Sequence, residues 1–211
     1  MLLKHLGTNP SSPVTAAIAC SPPVDYRDIA TQLEANPLAL LANFFMAIPP
    51  KISTMMSPVV RNQVPSLLRM LLAPTVRSFE EAVLIPLLPE YSDAYDYYAQ
   101  NNPSSTFNCI ATPTLIVSST DDPITPPPSA ALVGENDRVA LATVDYGGHL
   151  GFFKCDLFCG SWGDEVCVDF CLQVLEQMKG KGEVNSPTVN QRKSAHVVKR
   201  RGSLRGVALG F

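Results

Sequence analysis

The sequence predicts an α/β protein built on a mostly parallel sheet, and two observations carry that prediction. Two short apolar runs, residues 114–117 and 139–144, have the length and the β-branched content of buried strands. Helical patterns lie between and after these runs, and such alternation is typical of a parallel sheet with crossover connections. Hydrophobic residues make up 46% and charged residues 17% of the 211 residues, which is the composition of a globular chain.

The first hundred residues predict a helix, a strand and then a helical region. Residues 1–7 look like the end of a helix that Gly7 stops. Residues 14–20 are apolar and precede two prolines, as expected for a buried strand with a loop at its carboxyl end. About residues 26–100 hold helical segments broken by prolines, without a convincing strand pattern. We expect a helical insertion there, either a lid for an apolar substrate or an ordinary helical core.

The sheet resumes after this insertion. The pattern predicts a strand over residues 114–117, a short helix near 129–133, a strand over 139–144 and a final helix from about 164 to 178. In the final helix we expect Val166, Phe170 and Val174 to share the buried face, with cysteines beside them. The predicted domain therefore covers residues 1–178.

The C-terminal tail, residues 179–211, differs in charge from the rest of the chain. Residues 1–179 hold 9 bases and 18 acids, whereas residues 180–211 hold 7 bases and one acid. The tail has no hydrophobic period, so we expect it to be disordered. Its basic stretch, residues 199–201, suggests peripheral contact with anionic lipid, and the alternative is a solvated tail without a partner. We expect no nucleic-acid partner.

The sequence also bears on cellular location. The longest apolar run, residues 38–48, spans 11 residues, fewer than the roughly 18 to 20 that cross a bilayer. The N-terminus lacks the pattern of a secretory signal. We therefore expect no transmembrane segment and an intracellular protein that is cytoplasmic or peripherally membrane-associated.

Six cysteines raise the question of a metal site. They stand at positions 20, 109, 155, 159, 167 and 171. The last four have C-x3-C-x7-C-x3-C spacing, but two of them fall within the predicted final helix rather than on a tight turn. We therefore expect structural free cysteines in a reducing compartment, with no metal and no cofactor.

An acid and a histidine follow the two predicted strands at their carboxyl ends. The first strand leads into Asp121-Asp-Pro-Ile-Thr-Pro, and the second leads into Asp145-Tyr-Gly-Gly-His149. An acid after one strand and a histidine after the next is the order of the last two members of a Ser–Asp–His triad. Ligand chemistry in parallel sheets gathers at these strand ends. We therefore predict an acid–histidine catalytic pair, and the alternative is a surface turn with solvated acids.

These motifs resemble the C-terminal part of an α/β-hydrolase. With Trp162 downstream, they are similar in particular to the YheT-like branch, which includes embryogenesis-associated hydrolases and abhydrolase-domain lipases. Two further strings, Val76-Arg-Ser-Phe-Glu-Glu81 and Tyr91-Ser-Asp-Ala-Tyr-Asp-Tyr-Tyr98, resemble segments of the same branch. The resemblance covers about residues 1–175. It implies a partial α/β-hydrolase fold with a lid-like helical insertion.

The resemblance also implies roles for the two site residues. It matches Asp122 to the triad acid and His149 to the triad histidine, while Asp121 remains a neighbouring rival. The family reaction is serine-type hydrolysis of carboxylic esters, including acyl lipids, through an acyl-enzyme.

The nucleophile of that family lies in a Gly-x-Ser-x-Gly elbow, and this sequence contains no such pattern. Residues 1–7 resemble the later part of the helix after the elbow, so the resemblance places the serine upstream of Met1. The nearest pattern, Cys159-Gly-Ser-Trp-Gly163, puts Ser161 after the histidine, and we do not expect it to act as a nucleophile. We expect the chain alone to be inactive, because the oxyanion amide that follows the serine is also absent.

Two functions follow as hypotheses. The first is a carboxylic ester hydrolase, lipase-like, present here without its nucleophile elbow. The second is a non-catalytic hydrolase remnant that binds lipid or protein. In either case a half-sheet would leave an edge strand and apolar surface uncovered, so we expect an oligomer, a complementing N-terminal segment or a membrane surface.

Overall fold

The computed structural model describes residues 1–35, 37–153, 160–180 and 197–199. The chain divides into two compact units, which we describe separately. The sheet unit is Met1–Val24 together with Pro103–Phe211, and the helical unit is Asp25–Asn102.

The helices and strands follow one another in this order: α1 (Leu2–Thr8), β1 (Ala17–Cys20), α2 (Tyr26–Glu34), α3 (Pro37–Met46), α4 (Ile48–Met56), α5 (Pro58–Arg61), α6 (Leu67–Leu72), α7 (Val76–Leu87), α8 (Ala94–Asn101), a 3-10 helix (Pro103–Cys109), β2 (Thr114–Ser119), α9 (Ala130–Gly134), β3 (Val139–Val144), α10 (Trp162–Gly180) and β4 (Val197–Lys199). The fold is therefore α/β, as the sequence predicts, and it is compatible with part of an α/β-hydrolase fold.

The sheet is parallel, with strand order β1-β2-β3-β4. Its centre is the pairing of β2 with β3, which runs in register from Thr114 opposite Val139 to Ser119 opposite Val144. Every residue of both strands is buried, because apolar packing covers both faces of the sheet. This in-register pairing brings the carboxyl ends of the two strands to the same edge.

Two hydrophobic clusters cover the two faces. On one face Ile116 packs with residues of α1, the 3-10 helix and α9. On the other face Leu115 and Val117 pack with α10. The apolar stripe of α10 is as predicted, since Val166 and Phe170 are buried with Val174 beside them.

The cysteines on α10 differ from one another in their surroundings. Cys167 is half-buried and packs against the cluster around Phe170, whereas Cys171 is exposed. The Cys20 thiol is a neighbour that acts on the ionisation of the Cys167 thiol. Burial, with Cys20 adding to it, raises the pKa of Cys167 to about 12. Cys167 is therefore a protonated, unreactive thiol near neutral pH, consistent with a structural role.

The helical unit contains only helices among the residues described there. Hydroxyl or carboxylate side chains begin most of them: Asp25, Ser57, Ser66, Thr75 and Asp93 each accept a hydrogen bond from an amide of the first turn. Two small apolar clusters hold the helices together, one around Met70 and Phe79 and one around Tyr98.

One stretch of the helical unit bears on the prediction that no segment spans a membrane. Pro37–Met56, the 20 residues from the start of α3 to the end of α4, has a mean hydropathy of 1.3, and 22% of its most apolar 18-residue window is buried. Its length and composition would suffice to cross a bilayer, although core helices of soluble proteins pass the same test.

The predicted tail, residues 179–211, is described only in part. Helix α10 continues to Gly180, and Val197–Lys199 forms β4 beside β3. The remaining tail residues, and Cys155 and Cys159 of the cysteine pattern, lie outside the described residues.

Candidate active site

The candidate site lies where β2 and β3 end together. Ser119 and Val144 are paired neighbours at the last position of these strands. The loop after β2 carries Asp121 and Asp122, and the loop after β3 carries His149. Because the strands are parallel and in register, both loops leave the sheet at one edge.

The structure brings Asp122 and His149 into direct contact. The His149 Nδ1 atom lies 2.9 Å from Oδ2 of Asp122. The Asp122 side chain is 0% exposed, whereas the His149 side chain is 34% exposed. When Nδ1–H donates to the carboxylate, the neutral ring keeps Nε2 as its proton acceptor. The pair therefore combines a shielded acid with an accessible base.

The loop backbone holds the Asp122 carboxylate in place. Its Oδ1 atom accepts hydrogen bonds from the Ile124 amide at 2.8 Å and the Thr125 amide at 3.0 Å. Burial raises the pKa of Asp122, but these amides, His149 and the Thr125 hydroxyl outweigh burial and hold the pKa below its ordinary value. Asp122 is therefore ionised near neutral pH, as the partner of a protonated histidine must be.

Thr125 connects the pair to the end of β1. Its hydroxyl oxygen lies 2.8 Å from Oδ2 of Asp122, 3.1 Å from Nδ1 of His149 and 3.1 Å from the carbonyl oxygen of Ser21. A single hydroxyl proton can be donated to only one acceptor at a time, so the oxygen can also accept from Nδ1–H. Thr125 thus helps to fix the orientation of the imidazole ring.

Ser21 fixes the backbone of His149 from the opposite side. Its hydroxyl donates a short hydrogen bond to the carbonyl oxygen of His149. Ser21 has φ of 44°, a left-handed conformation that serine rarely adopts, and it is only 3% exposed. This strained residue directly follows β1, so three strand ends contribute to the site.

Asp121 has a different task from Asp122. One of its carboxylate oxygens accepts from the amides of Gly147 at 3.0 Å and Gly148 at 2.8 Å, and from the Ser119 hydroxyl. The Ser119 hydroxyl lowers the pKa of Asp121 most, burial opposes it, and the two glycine amides lower the pKa further. Gly148 has φ of 53°, which glycine adopts without strain. Asp121 therefore holds the glycine turn that precedes His149, while Asp122 contacts the imidazole.

Ser161 is engaged at the start of α10. Its hydroxyl accepts from the Asp164 amide at 3.2 Å and lies 3.3 Å from the Phe152 carbonyl oxygen, to which it donates. This geometry is that of a helix N-cap. Among the described residues, no cluster of three or more His, Cys, Asp or Glu side chains could hold a metal ion.

Sequence reasoning missed Ser21 and Thr125. A weak signal for Thr125 was present, because Asp-x-x-Thr lets a side chain cap the following turn. The role of Ser21 depends on a contact across 128 positions, which no local pattern reveals.

Fold and site together define a class of protein: an α/β protein with a hydrogen-bonded acid–histidine pair at the ends of neighbouring parallel strands. Over 97 residues the chain is 30% identical to medium-chain fatty acid ethyl ester synthase/esterase 2 of Saccharomyces cerevisiae, covering 46% of this chain and 21% of that protein. Over 84 residues it is 30% identical to phospholipase ABHD3 of Homo sapiens, covering 39% of this chain and 20% of that protein.

These matches support the α/β-hydrolase superfamily and hydrolase-type chemistry in general terms. The matched regions span about a fifth of the length of either relative. No family model matches the chain, and no solved structure matches it. The placement in the YheT-like branch stays a prediction.

Proposed function

We propose that this chain supplies the acid and the base of a serine-type carboxylic ester hydrolase that acts on esters or acyl lipids. The observation that carries the proposal is the 2.9 Å contact between His149 Nδ1 and the buried Asp122 carboxylate at the strand ends. The names of the two relatives, an ethyl ester synthase/esterase and a phospholipase, fit ester or lipid substrates.

In this mechanism His149 Nε2 takes the proton of a serine hydroxyl as that oxygen attacks the ester carbonyl. The imidazolium then gives the proton to the leaving alcohol, and an acyl-enzyme remains. In the second half water attacks the acyl carbonyl while His149 takes its proton, and the ester bond to serine then breaks as the imidazolium returns the proton to the serine oxygen and the carboxylic acid leaves. Asp122 stabilises the imidazolium, and Thr125 and Ser21 hold the ring and its backbone.

We further propose that the nucleophile comes from outside these 211 residues. The sequence has no Gly-x-Ser-x-Gly elbow, and the Ser161 hydroxyl serves as a helix cap. The purified chain alone should therefore neither hydrolyse p-nitrophenyl butyrate nor react with a fluorophosphonate probe. Labelling of Ser161 or of any other serine in the chain would contradict this part of the proposal.

Mapping the 5′ end of the transcript tests the proposal directly. We expect an upstream in-frame segment with a Gly-x-Ser-x-Gly elbow. In the protein that includes it, His149→Ala should lower kcat/KM on p-nitrophenyl butyrate on the order of a thousandfold or more. The matched control is His5→Ala, because His5 is exposed and belongs to α1. Equal losses in the two variants, or no such upstream segment, would favour the non-catalytic alternative.

A further inference from the structure

The most unusual surface of the molecule lies on helices α3 to α6 of the helical unit. We call residues 37–72 the apolar segment. Its exposed large apolar side chains are Leu38, Leu40, Leu41, Phe44, Phe45, Ile52, Met55, Met56, Val59, Leu67, Leu68, Leu71 and Leu72. Apolar exposure on this scale is typical of an interaction site rather than of an ordinary soluble surface.

The first helix of the apolar segment, α3, is inverted in polarity, and α4 likewise buries a polar residue. The buried residue of α3 is Asn43 and that of α4 is Thr54, whereas Phe45 is 59% exposed. Asn43 is fixed in place, because its Oδ1 atom accepts from the Val76 amide at 2.9 Å. A helix that turns its polar residue inward and its apolar residues outward is matched to an apolar environment outside the protein.

The charges of the apolar segment are also one-sided. It carries three bases, Lys51, Arg61 and Arg69, and no acid, whereas the rest of the helical unit carries two bases and eight acids. Lys51 Nζ donates to the carbonyl oxygens of Leu71 at 3.2 Å and Ala73 at 2.5 Å, which holds its charge beside α6. The charges of the apolar segment itself are therefore all positive, and Glu81 of α7, which lies near Leu68 and Arg69, is paired with Arg77.

Helix α10 of the sheet unit also exposes apolar residues, but it does not combine them with positive charge. Its Leu172 is 53% exposed and its Leu175 is 51% exposed, similar to Leu41 at 53%. Yet α10 carries four acids and one base. An anionic surface would repel α10 and attract the apolar segment, so α10 provides a matched comparison within the same chain.

We propose that the apolar segment docks onto an anionic lipid surface, with its helices lying in the interface. Exposed apolar side chains together with basic residues and no acids are features of helices that bind in the plane of a membrane. Lys51 falls inside Pro37–Met56, and a charge at that depth favours lying in the interface over spanning the bilayer. This interaction is distinct from contact through the basic tail and does not require hydrolase activity.

Vesicle flotation of the full 211-residue chain tests the proposal. Vesicles of phosphatidylcholine with about a third phosphatidylserine should retain the chain at least about tenfold better than vesicles of phosphatidylcholine alone. Failure to bind the anionic vesicles, or equal binding to both kinds, overturns the proposal.

Paired leucine variants distinguish binding through the apolar segment from nonspecific binding through any exposed leucine. Leu41→Gln with Leu68→Gln should weaken partition to anionic vesicles at least about tenfold, because both side chains would leave the lipid interface. Leu172→Gln with Leu175→Gln removes equally exposed leucines from α10 and should change partition by less than about twofold. Similar losses in the two pairs overturn the proposal. Far-ultraviolet circular dichroism confirms that each variant is folded.

Paired charge variants locate the electrostatic part. Arg61→Gln with Arg69→Gln should reduce the preference for anionic vesicles more than Arg138→Gln with Lys179→Gln, which makes the same change of net charge in the sheet unit. A triple variant of the tail, Lys199→Gln, Arg200→Gln and Arg201→Gln, should keep at least half of the binding. Loss of all binding in the tail variant, with no effect of the segment variants, overturns the proposal.

Sedimentation without vesicles examines the competing occupant, a second copy of this chain. We expect the wild type and the Leu41→Gln/Leu68→Gln variant to sediment alike. A wild-type dimer that this variant dissociates would assign the surface to self-association and overturn the lipid proposal.

Discussion

The central strands of the sheet unit and helices α3 and α4 of the helical unit place apolar and polar residues in opposite ways. In the sheet unit the central strands β2 and β3 are buried at every position, and polar side chains gather where the strands end. In the helical unit α3 and α4 bury an asparagine and a threonine, while leucines and phenylalanines face outward. Polar side chains of the sheet unit therefore meet at its strand ends, whereas α3 of the helical unit exposes apolar side chains.

The largest expected effect comes from the same substitution made in each unit. Phe170 is 0% exposed and Phe45 is 59% exposed. Phe170→Ala should lower the free energy of unfolding of the sheet unit by about 3–5 kcal/mol, because it leaves a cavity against β2. Phe45→Ala should change stability by less than about 0.5 kcal/mol.

Urea titration measures both effects. Trp162 is the only tryptophan in the sequence and is 2% exposed, so its emission follows the sheet unit. Far-ultraviolet circular dichroism follows the helical unit as well. Similar losses of unfolding free energy for Phe170→Ala and Phe45→Ala would contradict the predicted difference between the two units.

The next effect separates the two adjacent aspartates within the sheet unit. Asp122→Ala should lower stability by about 3 kcal/mol, because buried amides and the Thr125 hydroxyl lose a charged acceptor. Asp121→Ala should lower it by only about 1 kcal/mol, since Asp121 is exposed and water can replace it. Trp162 emission in urea is again the measurement, and an inverted order would reverse the assignment of the two acids.

A smaller effect is expected in the helical unit, at its buried polar contact. The Tyr98 hydroxyl donates a short hydrogen bond to Glu80. Tyr98→Phe should lower the stability of the helical unit by about 1–2 kcal/mol, because Glu80 loses a partner while it stays largely buried. Tyr97→Phe keeps the tilted ring contact with Tyr98 and is the control, with an expected change under about 0.5 kcal/mol.

The smallest expected effect concerns pH. Acidification should weaken the stabilisation that Asp122 provides and strengthen the stabilisation that Glu80 provides. Asp122 has a lowered pKa, so its stabilisation is complete above the unfolded value of about 3.9 and is lost as pH falls through the folded value. Glu80 has a pKa raised by burial, which exceeds the opposing effect of Tyr98, so the folded state binds the proton more tightly. Its contribution therefore improves as pH falls towards the unfolded value of about 4.3.

Urea midpoints check this difference: the change for Glu80 falls between neutral pH and about pH 4, and the change for Asp122 falls between about pH 4 and about pH 2. Acid should shift the Trp162 midpoint down, and Asp122→Ala should shrink that shift. In the helical unit Glu80→Gln should remove a gain that the wild type shows on acidification. If acidification changed the contributions of Asp122 and Glu80 to stability in the same direction, the predicted difference between them would be wrong.

Much of the sheet unit could be predicted from sequence because its signals are local. The run at residues 139–144 is the observed β3, and the run at 114–117 is extended by two residues to Ser119 in β2. Residues 14–20 gave a strand three residues too long at its start, since β1 begins at Ala17. Asp122 and His149 were found by their positions after strands.

The remaining features depend on contacts between distant positions. Two adjacent carboxylates look the same in sequence, and only the hydrogen bonds of Ile124, Thr125 and the glycine turn distinguish them. The inversion of α3 could not be predicted either. Its apolar pattern suits a core helix equally well, and the contact of Asn43 with Val76 decides which side faces inward.

Ser21 illustrates a conflict that directed evolution would meet. Its left-handed backbone stores strain, while its hydroxyl tethers His149. A screen for heat resistance should therefore favour glycine or asparagine at position 21, residues that adopt this conformation easily. Glycine would release the tether at the same time, so clones gaining melting temperature through it should lose positional control of the histidine. Position 21 is thus where relief of backbone strain and the tether to His149 should be selected against each other.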